Sequence, residues 1–361
     1  MDTLPVELVD RICSFACCDG GLTACSLRSA CSLLYAVTER YRFHTVVVTG
    51  SQQTSLLRDA LRDALGSGRA TVRHLFITVN ERVDRAATHA ALAKDVICLA
   101  APTLETLVCL VESVPSNCPM YYPISSTTSF PRLTHLTFRH PEILTYSKLI
   151  ARPGTVIQFP KLRYVHVAYA CPVSILTAHS VISAITARSG DSLTHLRLSG
   201  VALRSAGTGA LYNPIVPVLR AMLRLDPALG LPATPPSVWS YVIQPHYTPR
   251  LFMCTREEAD IRETLDEVVK ENEKKGGMRL VLLSPIVHEA RWMDKKSVKE
   301  WKMEWLMAQA SERDALYEYV EGAGRGSCVD SDCCTQCGSR ITINGTGDTE
   351  HGLDTCESCR A

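Results

Sequence analysis

The chain has 361 residues, more than the ~250–300 that one hydrophobic core usually serves, so an extended architecture or a body with small appendages is expected. Hydrophobic residues make up 46% and charged residues 21%, too apolar a balance for a disordered chain. Lys and Arg total 38 against 37 Asp and Glu, a net charge of +1, which excludes bulk attraction to nucleic acid or anionic membrane and leaves only local basic patches open.

The opening, Met1 to Phe15, carries acids before any base and no apolar run ahead of a small-residue cleavage site, so no secretory signal is expected. No stretch approaches the ~18 consecutive apolar residues of a membrane span. A cytoplasmic and/or nuclear location follows, in which the 16 cysteines are reduced thiols or metal ligands rather than a disulfide framework. They crowd the two ends of the chain and are sparse between, dividing it into parts.

Asp2 or Thr3 can cap a first helix with Pro5 in its opening turn. Val6, Val9, Ile12 and Phe15, with Leu8 beside Ile12, follow helical i, i+3, i+4 spacing. Asp19-Gly20-Gly21 breaks the chain before a second apolar run, Leu22 to Val37. Leu4-Pro5-x-Glu7-Leu8-x-x-x-Ile12 resembles the opening of an F-box, and Cys25 to Cys31 is similar to its second half. The resemblance implies a helical module over residues 1–42 that docks on the Skp-type adaptor of cullin-RING ubiquitin ligases. It further implies that Leu4, Pro5, Leu8 and Ile12 face that adaptor, joined by Leu27 and Cys31. One departure stands out: the aromatic residue, often Trp, that follows in the family is replaced by Leu33-Leu34-Tyr35.

Residues 43–285 carry a recurrent apolar-x-x-apolar-x-apolar pattern. Its central positions are Val46, Leu75, Leu107, Leu136, Val165 and Leu196, at spacings of 29 to 32 residues. Each unit has room for one short strand and a return helix, just above the roughly 20–29 residues of leucine-rich repeats. The segments after Ser55, from Ala86 to Ala101 and after Ala178 have helical composition, and Pro102, Pro131 and Pro160 stop helices ahead of strands. The expected fold class is α/β: an N-terminal F-box-like helical module, then an irregular leucine-rich-repeat-like αβ solenoid, then a short Cys-rich tail. The array resembles that of large fungal F-box proteins.

His74, His135, His166 and His195 fall in these strands, where period-2 alternation turns them away from the helices. An open strand face is expected there, and it is the candidate surface for a target protein. After residue 201 the pattern fades, and 228–249, rich in proline, reads as a long connection. Arg250 to Cys254 then reads as a strand, Arg256–Lys274 as a helix capped by Thr255, with Ile261, Leu265, Val268 and Val269 buried, and Met278 to Leu283 as a closing strand. Glu289-Ala-Arg-Trp292 is similar to a run in the closing segment of fungal F-box proteins. Residues 286–326 form a charged C-terminal segment whose helix, from Asp294, packs Val298, Trp301, Trp305 and Leu306 on the body.

In the tail, 327–361, Cys334-x-x-Cys337 and Cys356-x-x-Cys359 are separated by 18 residues, a spacing that fits a four-thiolate structural zinc ribbon. Cys333 and His351 offer further donors. No catalytic residues emerge: His288-Glu289 lacks the second His of a zincin helix, and the glycine runs near 207 and 322 lack phosphate-loop partners. The chain is therefore expected to be a non-catalytic adaptor that binds protein and needs no cofactor beyond structural Zn2+. Its expected partners are a Skp-type adaptor and a target protein, with no membrane or nucleic acid. The alternatives are a ligase-independent interaction scaffold and a zinc-ribbon nucleic-acid-associated protein, the latter disfavoured by the near-zero charge.

Overall fold

A computed structural model describes residues 4–66, 71–79, 83–111, 128–140, 158–202, 215–226, 231, 233–247, 255–283, 286–287 and 297–310. The chain divides into two compact units, Met1–Leu316 and Tyr317–Ala361, and every described residue lies in the first. The tail thiols Cys334, Cys337, Cys356 and Cys359 lie outside the described residues.

Three short helices open the chain: α1 (Val6–Ala16), α2 (Leu22–Ala30) and α3 (Ser32–Thr38). Helix α1 starts later than Asp2 or Thr3 could cap it. Pro5 itself holds the N-cap position, and its carbonyl accepts from the amides of Leu8 and Val9. The Asp19 carboxylate accepts from the Thr23 amide at 3.0 Å and its hydroxyl at 2.7 Å, supplying the first turn of α2 with an acceptor. The buried stripe of α1 is Val9 and Cys13, continued by Cys17 at the C-cap, packed on Ala24, Leu34 and Val37. Of the five residues at helical spacing, Val6, Leu8, Val9, Ile12 and Phe15, only Val9 is buried. The helix is apolar on two sides, and periodicity alone does not choose between them.

The recurrent pattern builds one parallel sheet. Strands β1 (Thr45–Val48), β2 (His74–Val79), β3 (Thr106–Val111), β4 (His135–His140), β5 (Tyr164–Val173), β6 (His195–Ala202), β7 (Ser240–Tyr247) and β8 (Arg279–Leu282) each pair with the next in the chain. A two-residue strand, β9 (Ile286–Val287), adds to β7, so the sheet runs past the expected boundary at 285. The central pattern positions stand in one register row, from Val46 through Leu75, Leu107, Leu136, Val165 and Leu196. Helices α4 (Ser51–Gly66), α5 (Val83–Ala100), α6 (Ile175–Ser189), α7 (Ile215–Met222) and α8 (Thr255–Lys274) cover that face. Their residues Leu61, Ile97, Ile185, Leu219 and Leu265 join the strand residues in one core cluster, each large side chain worth ~1.5–3 kcal/mol of burial.

The row continues through Tyr241 of β7 and Leu280 of β8, which corrects the expected fading after 201 and the reading of 228–249 as a connection. Val238, Tyr241 and Ile243 repeat the pattern and are buried, but 45 residues separate Leu196 from Tyr241, outside the regular spacing. Pro245 is tolerated because it pairs with Val201 where the register slips past Ser199, at an irregularity where a missing ladder donor costs less. Gly200, at φ +88, occupies the slip. The expected strand at 250–254 lies outside the described residues, whereas α8 buries Leu265 and Val268 as expected.

The last described helix, α9 (Val298–Ala310), begins with a reciprocal cap in which the Ser297 hydroxyl accepts from the Glu300 amide and the Glu300 carboxylate from the Ser297 amide. It lies on the sheet face opposite α4–α8, where Trp301 and Trp305 pack with Phe76, Val108, Leu110 and Ala168. Strands β2 and β3 are consequently buried at every position.

Candidate functional site

Two surfaces answer to the residues singled out in the sequence. The first is the outward side of α1. Leu4, Leu8, Ile12 and Phe15 are 44%, 49%, 57% and 72% exposed, and Leu22 at the start of α2 is likewise exposed. Pro5 is exposed as well, and so is Cys31, the extended residue between α2 and α3. Leu27 differs: it is partly buried against the Val9–Cys13–Cys17 cluster. Phe15 is the most exposed of the set.

The segment behind this surface is held by polar contacts. The Tyr41 hydroxyl donates to Asp10 at 3.0 Å, Arg40 pairs with Asp10 at 2.8 Å, and Arg28 pairs with Glu39 at 2.8 Å. The Gly20–Gly21 turn rests on β1: a Cβ at Gly20 would come within 2.8 Å of a Val47 methyl. Burial pushes the Cys17 thiol up to about 11, reinforced by the neighbouring Cys13, Asp19, Cys18 and Cys25. Cys13 and Cys18 are also raised, mainly by burial. These groups remain neutral thiols at physiological pH, poor nucleophiles and poor metal ligands. Among the described residues no group of three or more His, Cys, Asp or Glu side chains could hold a metal ion.

The second surface is the sheet face carrying the four histidines. They lie on the side away from α4–α8, as alternation requires. That face is not open, however: His74, His166 and His195 are 7%, 6% and 5% exposed, and His135 is partly buried. The correction has two causes. The rings cover one another, with His135 stacked on Tyr164 at 4.3 Å and Tyr164 on His195 at 4.2 Å, while Trp239 stands edge-on to His195 at 4.3 Å. Helix α9 covers the rest. Trp301 lies 5.3 Å from His166, and the Trp305 indole donates at 3.3 Å to the Thr106 hydroxyl, which also bonds His74 at 3.0 Å. Arg197 donates to Glu304 of α9 at 3.0 Å, and His166 bonds the Ser199 hydroxyl at 2.9 Å.

The sequence signals for this cover were Trp301 and Trp305, four residues apart. Periodicity marked them as buried without saying against what. A shallow groove of about 270 Å³ on the helical side, lined by His179, Thr186, Asp191, Met222 and Thr234, was not visible in the sequence. Comparison with known protein families, curated proteins and solved structures finds no match to this chain. Among the described residues no helix is long and apolar enough to cross a membrane.

Proposed function

We propose that this chain is the target-recognition subunit of an SCF-type cullin-RING ubiquitin ligase. In this reading the N-terminal helices are an F-box-like module that docks a Skp-type adaptor, and the sheet with its return helices is a degenerate leucine-rich-repeat solenoid that presents a target protein. The observation that carries it is the coincidence of motif and exposure. Leu4, Pro5, Leu8 and Ile12, which the resemblance assigns to the adaptor, are all exposed, and Val6, Phe15 and Leu22 beside them are exposed as well. Large apolar side chains left in water by one short segment lose burial energy that a partner can restore. The chain would contribute proximity and orientation, and the bond chemistry would belong to the other subunits.

The test is co-purification of the full chain with its host's Skp adaptor, beside a Leu4→Ala/Pro5→Ala/Leu8→Ala variant. Stoichiometric capture that the variant loses supports the reading. A folded chain that captures no adaptor overturns it and leaves a ligase-independent scaffold. The tail is proposed as a four-thiolate knuckle pair, whose test is metal content: about one zinc per chain, lost when Cys356 and Cys359 become Ser.

A further inference from the structure

The rim of the sheet at the N-terminal ends of the strands is strongly one-signed. Two positions, separated by one apolar residue, recur there in each repeat, and the charged residues at them are six. The outer one carries Arg42, Arg132 and Lys161, with Thr71, Thr103 and Ser192 in the other repeats, and the inner one carries Arg73, Glu105 and Arg163, with His44, Thr134 and Thr194 in the others. The inner row is stitched by backbone bonds, the Glu105 amide to the Arg73 carbonyl at 2.7 Å and the Arg163 amide to the Thr134 carbonyl at 2.9 Å. Glu105 is the one acid of these six, and it faces Arg73 at 3.7 Å. Arg42 lies over the Phe43 ring at 4.8 Å. Arg132, Lys161 and Arg163 are exposed and make no ion pair among the described residues.

Arg132 and Lys161 are placed by the same turn built twice, Phe130-Pro131-Arg132-Leu133 and Phe159-Pro160-Lys161-Leu162. The two phenylalanine rings stack at 5.5 Å, and the Leu133 and Leu162 amides each bond back to the carbonyl of their Phe. Since β4 and β5 align His135 with Tyr164, Arg132 and Lys161 hold equivalent places in the turns that lead into two strands ~4.8 Å apart. Like charges so placed repel, and among the described residues no acid forms an ion pair with them. Asp191, next along the rim, lines the groove on the helical side.

We propose that this rim binds an acidic polypeptide segment, with Arg132, Lys161 and Arg163 as its central contacts. A peptide suits the surface better than a nucleic acid. The rings behind the rim, His135, Tyr164 and His195, stack on one another, so their faces are not available to a series of bases. Charge complementarity of this kind steers encounter and selects partners more than it adds affinity. With the histidine face covered, the rim is where a target segment would dock. In that respect the inference rests on the function proposed above.

The experiment uses the purified full chain and a labelled octaglutamate peptide, read by fluorescence anisotropy. The comparison is an Arg132→Ser/Lys161→Ser/Arg163→Thr variant, which carries hydroxyl residues as Thr103, Ser192 and Thr194 do elsewhere on the rim and should fold normally. A control replaces Lys270 and Lys274 on the exposed side of α8 by Ser. Saturable binding, weakened by added salt and about tenfold by the rim variant but not by the control, supports the proposal. Absence of binding, equal binding by the rim variant, or tighter binding of an oligothymidylate of matching charge through the same residues overturns it. Adaptor capture is measured separately on the same preparation. The Leu4→Ala/Pro5→Ala/Leu8→Ala variant should keep peptide binding, so failure of one reading is distinct from failure of the other.

Discussion

The outward side of α1 and the second face of the sheet both carry large apolar residues, and only one of them is covered. On the sheet, Phe76, Val108 and Leu110 are closed over by Trp301 and Trp305 of α9. On α1, Leu4, Leu8, Ile12 and Phe15 face water. The chain thus spends a helix to cover one apolar surface and leaves the other bare. That bare apolar patch is the ground on which a docking surface is proposed there.

The largest expected effect tests the covered half. Trp305→Ala should lower unfolding free energy by about 3–5 kcal/mol, seen as a lower denaturant midpoint, whereas Ile12→Ala should shift it by about 0.5 kcal/mol or less and act on adaptor capture instead. A stability loss for Ile12→Ala equal to that for Trp305→Ala would abolish the distinction. Glycines sharpen it next. At Gly200 (φ +88) a Cβ would stand 2.6 Å from the Tyr169 carbonyl oxygen, backbone that cannot move aside, so Gly200→Ala should cost about 3 kcal/mol. At Gly20 (φ +87) the obstacle is the Val47 methyl at 2.8 Å, and the cost should be nearer 1–2 kcal/mol. In thermal melts, reversal of that order would show that the α1–α2 turn is seated on β1 more rigidly than its side-chain contact implies.

A smaller effect concerns pH. Burial, with the neighbouring Arg73 charge, lowers His44 from 6.5 to about 4. The unfolded chain takes up a proton here below 6.5 while the folded one stays neutral until about 4, so stability should fall as pH drops through that window and should be unaffected above it. His44→Gln should flatten this part of the profile, read from urea midpoints on either side of 6.5. A variant with unchanged pH dependence would remove His44 from the account. Thiol chemistry gives the mildest readout. Cys25 and Cys31 are exposed, whereas Cys13 and Cys17 are buried. Alkylation of the native chain should label the first pair and spare the second; equal labelling would show that the helical segment opens readily.

Much of the sheet was legible before any coordinates. Six central positions at near-constant spacing gave six strands, and helical composition between them gave the return helices. Strand β7 was missed because 45 residues rather than about 30 precede it and prolines surround it, although Val238, Tyr241 and Ile243 carry the same pattern. The helix carrying Trp301 and Trp305 was expected and its apolar side was correct. Its resting place was not, because a stripe states that a side chain is buried and not which surface buries it. The histidines were assigned to the correct sheet face by alternation, and their exposure was misjudged for that same reason.

The sequence by itself determined the first six strands, β8 and the helices α4, α5, α6, α8 and α9, since spacing, prolines and glycine turns act locally, and it placed Leu8 and Ile12 on a helix. Tertiary structure decided which of the two apolar sides of α1 packs on Leu34 and Val37 and which remains outside. It also decided that α9 closes the histidine face and that Arg132, Lys161 and Arg163 gather on one rim. These are questions of which surfaces meet. They are settled by burial summed over the whole unit, which no short window of sequence contains.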